Sequence, residues 1–262
     1  MKIPNSDNTK IELKRKRLKI ADRLIVSLDV SSRNEAIQLC KKIGNKVSTL
    51  KIGLELLYSV GLDVIRTVRS FGYKVLLDTK LHDIPNTVCR AAAAVSRLDV
   101  EMITIHIPGG SEMLNEAKNK VHQLSTNRGR FPPILLGVSI LTSLDDMDLK
   151  SFGFSDGYLS SVLKLAGVAI NSNLDGIICS PNEVKLIREK YGNSFYIATP
   201  GIRLKEDSQG DQKRFNTPRR AILDGADFLI VGRSITKKDN IGETTGIFLE
   251  KIEKALKNDK SD

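Results

Sequence analysis

Three charged side chains crowd the end of an otherwise apolar stretch of the sequence. The segment "VLLDTKLHDIPNT", residues 75–87, places Asp78, Lys80 and Asp83 within six positions. Because residues two apart in a strand point to the same face, Asp78 and Lys80 should lie side by side. Formal charges at the end of a buried segment are costly unless they pair with one another or take part in a reaction. The spacing therefore indicates an ion-paired cluster that either stabilises the fold or carries chemistry.

From residue 24 onward, short apolar runs alternate with longer amphipathic stretches. The short runs are rich in leucine and β-branched residues and are nearly continuously apolar, as expected of strands covered on both faces. They predict eight strands, over residues 24–29, 48–53, 74–80, 102–107, 133–141, 175–179, 195–199 and 227–232. The stretches between and after them predict helices that include residues 32–44, 54–70, 87–98, 111–121, 157–171, 181–192 and 244–256.

Eight strand–helix repeats in about 230 residues fit the TIM barrel, an α/β fold with eight parallel strands in one closed ring. A doubly wound open sheet is the alternative. It should carry a glycine-rich turn after the first strand, whereas "LDVSSRNEA" at residues 28–36 contains no glycine. We therefore predict a single (β/α)8 catalytic domain over residues 21–262, preceded by a basic extension over residues 1–20.

In TIM barrels the active site lies at the C-terminal ends of the strands. Polar side chains stand at or beyond most of the predicted strand ends, namely Asp29, Lys51, Asp78, Lys80, His106, Thr142, Ser143, Arg203 and Arg233. Any one of these charges by itself would most simply form a salt bridge at the rim. Charges on this many strand ends, all at the same rim, favour an active site instead.

The ends of the seventh and eighth strands carry the residues of a phosphate site. Loops at this position of TIM barrels bind phosphate through backbone N–H groups and the N-terminus of a short helix. Gly232 would let the backbone approach an anion closely, and Arg233 offers a planar bidentate donor. The polar loop over residues 203–217 suits either a lid that closes over a ligand or an ordinary surface loop.

A series of short motifs occurs in an order that is similar to one enzyme family. They are "LDV" with Asp29, "LKIG" with Lys51, "LLDTKLHDIPNTV", "LTS", "TPGIR", "GDQKR" and "VGRSIT". Together they resemble the orotidine 5′-phosphate decarboxylases over residues 22–256. The resemblance implies a TIM-barrel homodimer that converts orotidine 5′-phosphate to UMP and uses neither a metal ion nor an organic cofactor.

The resemblance also implies catalytic roles for four residues. Lys51, Asp78 and Lys80 would form a charged array within one subunit. Lys80 would stabilise a carbanion at C6 of the pyrimidine as an ammonium group and then protonate it. Asp83 matches a carboxylate that reaches into the partner subunit's site.

The substrate-binding set implied by the resemblance surrounds this array. It comprises the ribose ligands Asp29 and Thr87, the pyrimidine neighbour Thr142, the phosphate ligands Arg203, Gln212, Gly232 and Arg233, and Lys51. One position departs from the family pattern, because Ser234 stands where the family usually has proline. Since the neighbouring groups bind the phosphate, we expect only a looser turn there.

Two other functions stay open at this point. A magnesium-dependent sugar-phosphate branch of the same superfamily shares the D-x-K-x-x-D pattern, but Lys51 would place a cation where that metal needs carboxylate ligands. A basic RNA-binding barrel would suit the net charge of +10. Much of that charge lies in the terminal segments, which are typically solvated, and the chain has no tryptophan on which bases could stack. We therefore expect a small-molecule substrate and no nucleic-acid partner.

The cysteines and the apolar runs indicate a cytoplasmic location. The chain has three cysteines, an odd number, at Cys40, Cys89 and Cys179, and they are widely spaced with no CxxC pattern. This argues for a reducing compartment and against disulfides or a zinc site. No apolar run approaches the length of about 20 residues that spans a bilayer. The N-terminal segment lacks the apolar core of a signal peptide, so no membrane association is expected.

Overall fold

The computed structural model describes residues 6–205 and 215–257, with side chains from residue 11 onward. Eight parallel strands form one closed barrel, in which each strand pairs with the next in sequence and the eighth returns to the first. The strands are β1 (Leu24–Ser27), β2 (Thr49–Ile52), β3 (Lys74–Leu81), β4 (Met102–His106), β5 (Ile134–Val138), β6 (Gly176–Ile178), β7 (Tyr196–Thr199) and β8 (Phe228–Val231). The predicted TIM barrel is confirmed, and the open-sheet alternative is wrong.

Every predicted strand is present, and only β3 extends beyond its predicted run, by one residue. The helices of the described ranges are α1 (Ser6–Lys16), α2 (Ile20–Arg23), α3 (Arg33–Ile43), α4 (Leu54–Val60), α5 (Asp63–Ser70), α6 (Pro85–Val95), α7 (Ser111–Thr126), α8 (Asp146–Ser151), α9 (Gly157–Asn171), α10 (Val184–Tyr191), α11 (Pro218–Leu223), α12 (Arg233–Thr236) and α13 (Ile241–Leu256). None of these helices is both long and apolar enough to cross a membrane.

Local signals account for where the helices begin and end. The Ser32 hydroxyl accepts the Glu35 N–H at 3.2 Å at the start of α3, and Gly44 at φ +65° ends that helix in a left-handed conformation. The single helix predicted over residues 54–70 is wrong, because Gly61 at φ +84° ends α4 and the chain starts α5 two residues later. The helix α8 lies in a segment where the sequence pattern predicted none.

The barrel interior and the layer between barrel and helices form two separate apolar clusters. In β1, Ile25 belongs to the interior cluster, whereas Leu24 and Val26 on either side of it belong to the outer one. The alternation follows from the two-residue period of a strand. Because both faces are buried, the strand sequences are apolar at nearly every position.

The basic extension is not wholly solvated, because α1 packs against the end of the barrel opposite the strands' C-terminal ends. Ile11 and Leu18 contact the interior cluster. The Arg15 Nε donates to Oδ1 of Asp227 at 2.6 Å, and Asp227 is the residue immediately before β8. Among residues 11–20, whose side chains the structure describes, the exposed basic side chains are those of Lys14, Lys16, Arg17 and Lys19.

Asp227 is the centre of this contact, since it is almost fully buried at 2% exposure. Its second oxygen accepts from Arg188 Nη2 at 2.7 Å and from the Ile197 N–H at 2.8 Å. A buried carboxylate needs such compensation, because taking its charge out of water is expensive. Arg15 therefore connects the extension to a buried charge network at the base of the barrel.

Replacing Arg15 by alanine should lower the free energy of unfolding by about 2 kcal/mol, since hydrogen bonds to charged groups contribute about 1.5–3 kcal/mol. Asp227 would keep its other donors, so the fold should survive. The measurement is urea-induced unfolding followed by circular dichroism.

The matched control is Lys16→Ala on the same helix, where the lysine makes a 3.4 Å surface ion pair with Glu12 and is 71% exposed. Such pairs contribute about 0–1 kcal/mol, so this variant should unfold close to the wild type. Equal destabilisation by the two substitutions would contradict the role given to Arg15.

Candidate active site

A cavity of about 300 Å³ opens at the C-terminal ends of the barrel strands. This volume falls at the lower end of the range of small-molecule sites. The predicted site residues that line it are Asp29, Lys51, Asp78, Lys80, Thr142, Arg203, Gly232 and Arg233. The structure therefore brings together polar residues from strand ends that lie far apart in the sequence.

Four of these side chains form a row of alternating charge. Lys51 Nζ lies 2.9 Å from Asp29 Oδ1 and 3.6 Å from Asp78 Oδ2. Lys80 Nζ lies 2.8 Å from the same Asp78 oxygen. Lys51 and Asp78 are each only 9% exposed, so the ion pair between them is weakly screened by water.

The Asp78 carboxyl group responds to two opposing effects. Its burial raises its pKa, but the charges of Lys51 and Lys80 and hydrogen bonds from Lys80 and Thr104 lower it more. The resulting pKa lies below its ordinary value, so Asp78 is ionised at neutral pH. An ionised Asp78 can hold both ammonium groups at fixed positions.

Lys80 sits where the β3–β4 ladder is irregular. Leu77 pairs with Ile103 and Leu81 with Ile105, so three residues of β3 face the single residue Thr104. Lys80 itself has a positive φ of +49°, a conformation that costs a residue with a side chain about 1–2 kcal/mol. Bulges of this kind occur beside active sites, where they redirect a side chain.

The end of the cavity expected to bind phosphate is formed by the segments after β7 and β8. Gly232 precedes the short helix α12, and a Cβ atom there would come within 3.0 Å of Asp29 Oδ2. The absent side chain thus leaves room for Asp29 as well as for a ligand. Ser234, the departure from the family pattern, lies inside α12 and lines the cavity, so the helix forms without proline.

The segment after β7 is fixed at both of its described ends. A β-bridge joins Ile202 to Asn216, and the Arg203 N–H donates to the Asn216 carbonyl at 3.0 Å. The Arg203 guanidinium also lies 5.9 Å from the centre of the Phe215 ring. Gln212, the remaining residue of the predicted phosphate set, lies outside the described residues.

Two predicted site residues do not line the cavity of their own chain. Both are exposed: Asp83 lies just before α6, and Thr87 lies in the first turn of that helix. Asp83 Oδ1 accepts the N–H of Ile84 at 2.6 Å, and the Ile84 side chain is itself 66% exposed. Within one chain, these residues therefore stand apart from the charged row.

His106, which the strand-end pattern also singled out, packs beside His82 rather than lining the cavity. Their ring centres are 5.3 Å apart. Burial lowers the pKa of His106, and the neighbouring His82 and Lys80 lower it further. A neutral His106 avoids adding another positive charge beside Lys80.

Sequence reasoning missed the apolar and small polar residues that complete the cavity. Ser27, Ile140, Cys179, Pro200 and Ile230 all line it. They belong to apolar runs or turns, where nothing in the pattern separates a cavity wall from a core residue.

The sequence reasoning also missed Thr104, whose hydroxyl contacts both Asp78 and the backbone of Lys80. One signal could have found it, since Thr104 is the single polar residue between Met102 and Ile105 in an apolar strand.

Known proteins match nearly the whole chain. Residues 22–245 match the Orotidine 5'-phosphate decarboxylase / HUMPS family. The chain belongs to this family. A relative from Carboxydothermus hydrogenoformans named orotidine 5'-phosphate decarboxylase is 41% identical over 237 residues, which cover 90% of this chain and 98% of the relative. A relative of the same name from Actinobacillus succinogenes is 39% identical over 221 residues, covering 84% of this chain and 94% of the relative.

A solved structure agrees with these relatives. The crystal structure of orotidine 5'-phosphate decarboxylase from Lactobacillus acidophilus superposes with a TM-score of 0.78 and 36% sequence identity, and covers 88% of this chain and 99% of that chain. The family resemblance inferred from the motifs is confirmed. Both ends of the chain extend beyond the family match, and α1 lies in the N-terminal part outside it.

The low pKa of Asp78 predicts a specific dependence of stability on pH. A carboxyl group whose folded pKa lies below its unfolded value stabilises the fold above the unfolded value, and this contribution is lost as pH falls through the folded one. The wild type should therefore lose stability relative to Asp78→Asn as pH falls below 3.8, the ordinary pKa of the carboxyl group. Urea unfolding at a series of pH values measures it.

Asp63→Asn is the control, because Asp63 is 69% exposed and makes only a 3.7 Å surface ion pair. Its difference from wild type should change by no more than about 1 kcal/mol over the same pH range. A wild-type advantage over Asp78→Asn that stays constant or grows in acid would contradict the assignment.

Proposed function

We propose that this chain decarboxylates orotidine 5′-phosphate to UMP through the charged row in the cavity, without a metal ion or an organic cofactor. The observation that carries the proposal is the Lys80 ammonium group, held at 2.8 Å by the buried Asp78 carboxylate on the cavity wall. The relatives named orotidine 5'-phosphate decarboxylase support the same reaction.

The chemistry of the substrate explains why a fixed ammonium group is needed. When the bond from C6 to the carboxyl group breaks, its electron pair stays on C6 as CO2 leaves. That pair lies in an sp² orbital in the plane of the ring, so no neighbouring group delocalises it. A preorganised positive charge at this point stabilises the developing anion without having to reorganise. Lys80 then gives a proton to C6, which forms the C–H bond of UMP, and the neutral amine regains a proton from water.

Asp78 first of all positions Lys80. A substrate carboxylate held about 4 Å from it would be repelled by about 4 kcal/mol at an effective dielectric constant of about 20. Departure of CO2 removes this repulsion, which would favour the reaction. Lys51 lies between Asp29 and Asp78 and pairs with both carboxylates, which reduces this repulsion.

The rest of the substrate supplies the binding energy that offsets this crowding. Arg203, Gly232 and Arg233 at one end of the cavity suit a phosphate group, together with Gln212. Asp29 would accept a hydrogen bond from a ribose hydroxyl, and Thr142 would face the pyrimidine; both line the cavity. Interactions with the distant phosphate can be used to hold the reacting carboxylate near Asp78.

We further propose that the enzyme is a homodimer with shared active sites. Asp83 and Thr87 are matched to substrate-contacting positions of the family, yet both are exposed and neither lines the cavity of its own chain. A second copy that receives these side chains in its cavity would account for both facts. The exposed Ile84 beside them offers apolar surface that such a contact would bury.

The magnesium-dependent sugar-phosphate reaction is the alternative, and the placement of Lys51 disfavours it. A magnesium ion needs carboxylate oxygens from the rim. Here the Lys51 ammonium already lies between Asp29 and Asp78, at 2.9 and 3.6 Å from their oxygens. A divalent cation bound by the same oxygens would be repelled by it.

Purified protein should form UMP from orotidine 5′-phosphate, and Lys80→Met should reduce kcat by at least about 10³-fold because it removes both the stabilising charge and the proton donor. Lys74→Met is the matched control, since Lys74 begins the same strand at the opposite end of the barrel and is half exposed. Its kcat should stay at the wild-type level. Release of UMP is followed by chromatography.

The same assay in excess EDTA separates the two reactions. The proposed enzyme should keep full activity, whereas a magnesium-dependent enzyme should lose it. A folded sample that forms no UMP, or a Lys80→Met variant that still turns over, would overturn the proposal.

A mixing experiment tests the shared sites. Inactive Lys80→Ala and Asp83→Ala chains, once exchanged into hybrid dimers, should regain about a quarter of wild-type activity, because half of the dimers are hybrids with one intact site. Activity is measured after the chains are mixed and allowed to exchange subunits.

The control mixes Lys80→Ala with Asp78→Asn. Both defects lie in the same row, so each hybrid site retains one of them and no rescue is expected. Rescue in neither mixture, with subunit exchange verified by mass spectrometry, would count against shared sites.

A further inference from the structure

We propose that Thr104 is a positioning residue that fixes the Asp78–Lys80 pair through its hydroxyl group. The inference rests on the proposed decarboxylase function and deepens it. Thr104 lies in the middle of β4 and is fully buried. It is not among the residues that line the cavity, so it acts through the other two.

The hydroxyl makes one hydrogen bond in each direction. Thr104 Oγ1 accepts the backbone N–H of Lys80 at 2.8 Å and donates to Asp78 Oδ1 at 2.9 Å. A hydroxyl has a single hydrogen atom. Because a backbone N–H can only donate, the hydroxyl hydrogen is available to Asp78, whose oxygen must accept it. This polarity suits the carboxylate form of Asp78.

These contacts close a ring of hydrogen bonds around the catalytic pair. The ring runs from the Lys80 N–H to Thr104, on to one oxygen of Asp78, and from its other oxygen back to Lys80 Nζ at 2.8 Å. The Lys80 ammonium group is therefore tied to its own backbone through two other residues. Such a ring restricts both the carboxylate and the long lysine side chain.

The position of Thr104 opposite the bulge explains why a side chain is needed here. Between the pairs Leu77–Ile103 and Leu81–Ile105, β3 has three residues where β4 has only Thr104. A regular ladder would satisfy the Lys80 N–H with a backbone carbonyl. The Thr104 hydroxyl satisfies it instead, so the strand can leave the ladder and give Lys80 its positive φ of +49°.

The experiment compares Thr104→Val with Thr104→Ser. Valine keeps the shape and removes the hydroxyl, so kcat should fall about 10²-fold, as expected for a small misplacement of a catalytic group. KM and the dissociation constant of UMP should change by less than about threefold, since the cavity wall is unaltered. Serine keeps the hydroxyl and should restore kcat to within about fivefold of the wild type.

Thr49→Val is the matched control. Thr49 is a buried threonine on strand β2, at the end of the barrel far from the cavity. Its kcat should stay within about twofold of the wild type. If Thr104→Val does not fold, Thr104→Cys replaces it, because a thiol is similar in size to a hydroxyl but is a weak hydrogen-bond donor. Its kcat should lie between that of Thr104→Ser and the value expected for Thr104→Val.

Three results would overturn the inference. One is a kcat of Thr104→Val, or of its cysteine substitute, at the wild-type level. Another is an equal loss in the serine and valine variants, which would assign the effect to packing. A third is a loss of UMP affinity as large as the loss of kcat, which would indicate a general distortion of the cavity. A wild-type enzyme that forms no UMP would instead refute the function itself.

Discussion

One carboxylate shared by two ammonium groups is the interaction on which the site depends. Asp78 is almost buried, and its oxygen lies 2.8 Å from Lys80 Nζ and 3.6 Å from Lys51 Nζ. Removing any one of these charges would leave the others buried without full compensation, which is strongly unfavourable. The same contacts hold Lys80 in place, so the electrostatic cost of the cluster and its proposed catalytic use have one origin.

The barrel supports this cluster by being regular everywhere except beside it. β4 and β5 pair without a break over five positions, whereas the β3–β4 ladder is irregular between Leu77 and Leu81. The positive φ of Lys80 is held from the β4 side, where Thr104 accepts the Lys80 N–H and the next residue, Leu81, pairs with Ile105. A rigid frame can hold a side chain in a conformation that an isolated strand would not adopt.

The two ends of the barrel divide stability from function. At the C-terminal ends of the strands, charges line an open cavity. At the opposite end, Asp227 is compensated by Arg15, Arg188 and a backbone N–H, and α1 covers part of the interior cluster. This division is a general property of TIM barrels. It explains how a segment outside the family match can strengthen the base without touching the site.

The sequence by itself determined the number of strands, their approximate bounds and the charges at their ends. These features are local, because burial on both faces makes a strand apolar throughout and a charge at its end stands out. The sequence alone therefore places Asp29, Lys51, Asp78 and Lys80 at one rim, whereas the roles proposed for them rest on the family resemblance. The break at Gly61 was missed because glycine is compatible with a helix interior as well as with its end.

Only the tertiary structure decided which of these groups touch. The bulge opposite Thr104, the docking of Arg15 onto Asp227 and the absence of Asp83 from its own chain's cavity all depend on the register between strands or on contacts between distant segments. Strand periodicity states which face a residue points to, but not which residue of the neighbouring strand lies opposite. For this reason the composition of the site could be read from the sequence, whereas the hydrogen bonds that position its central lysine could not.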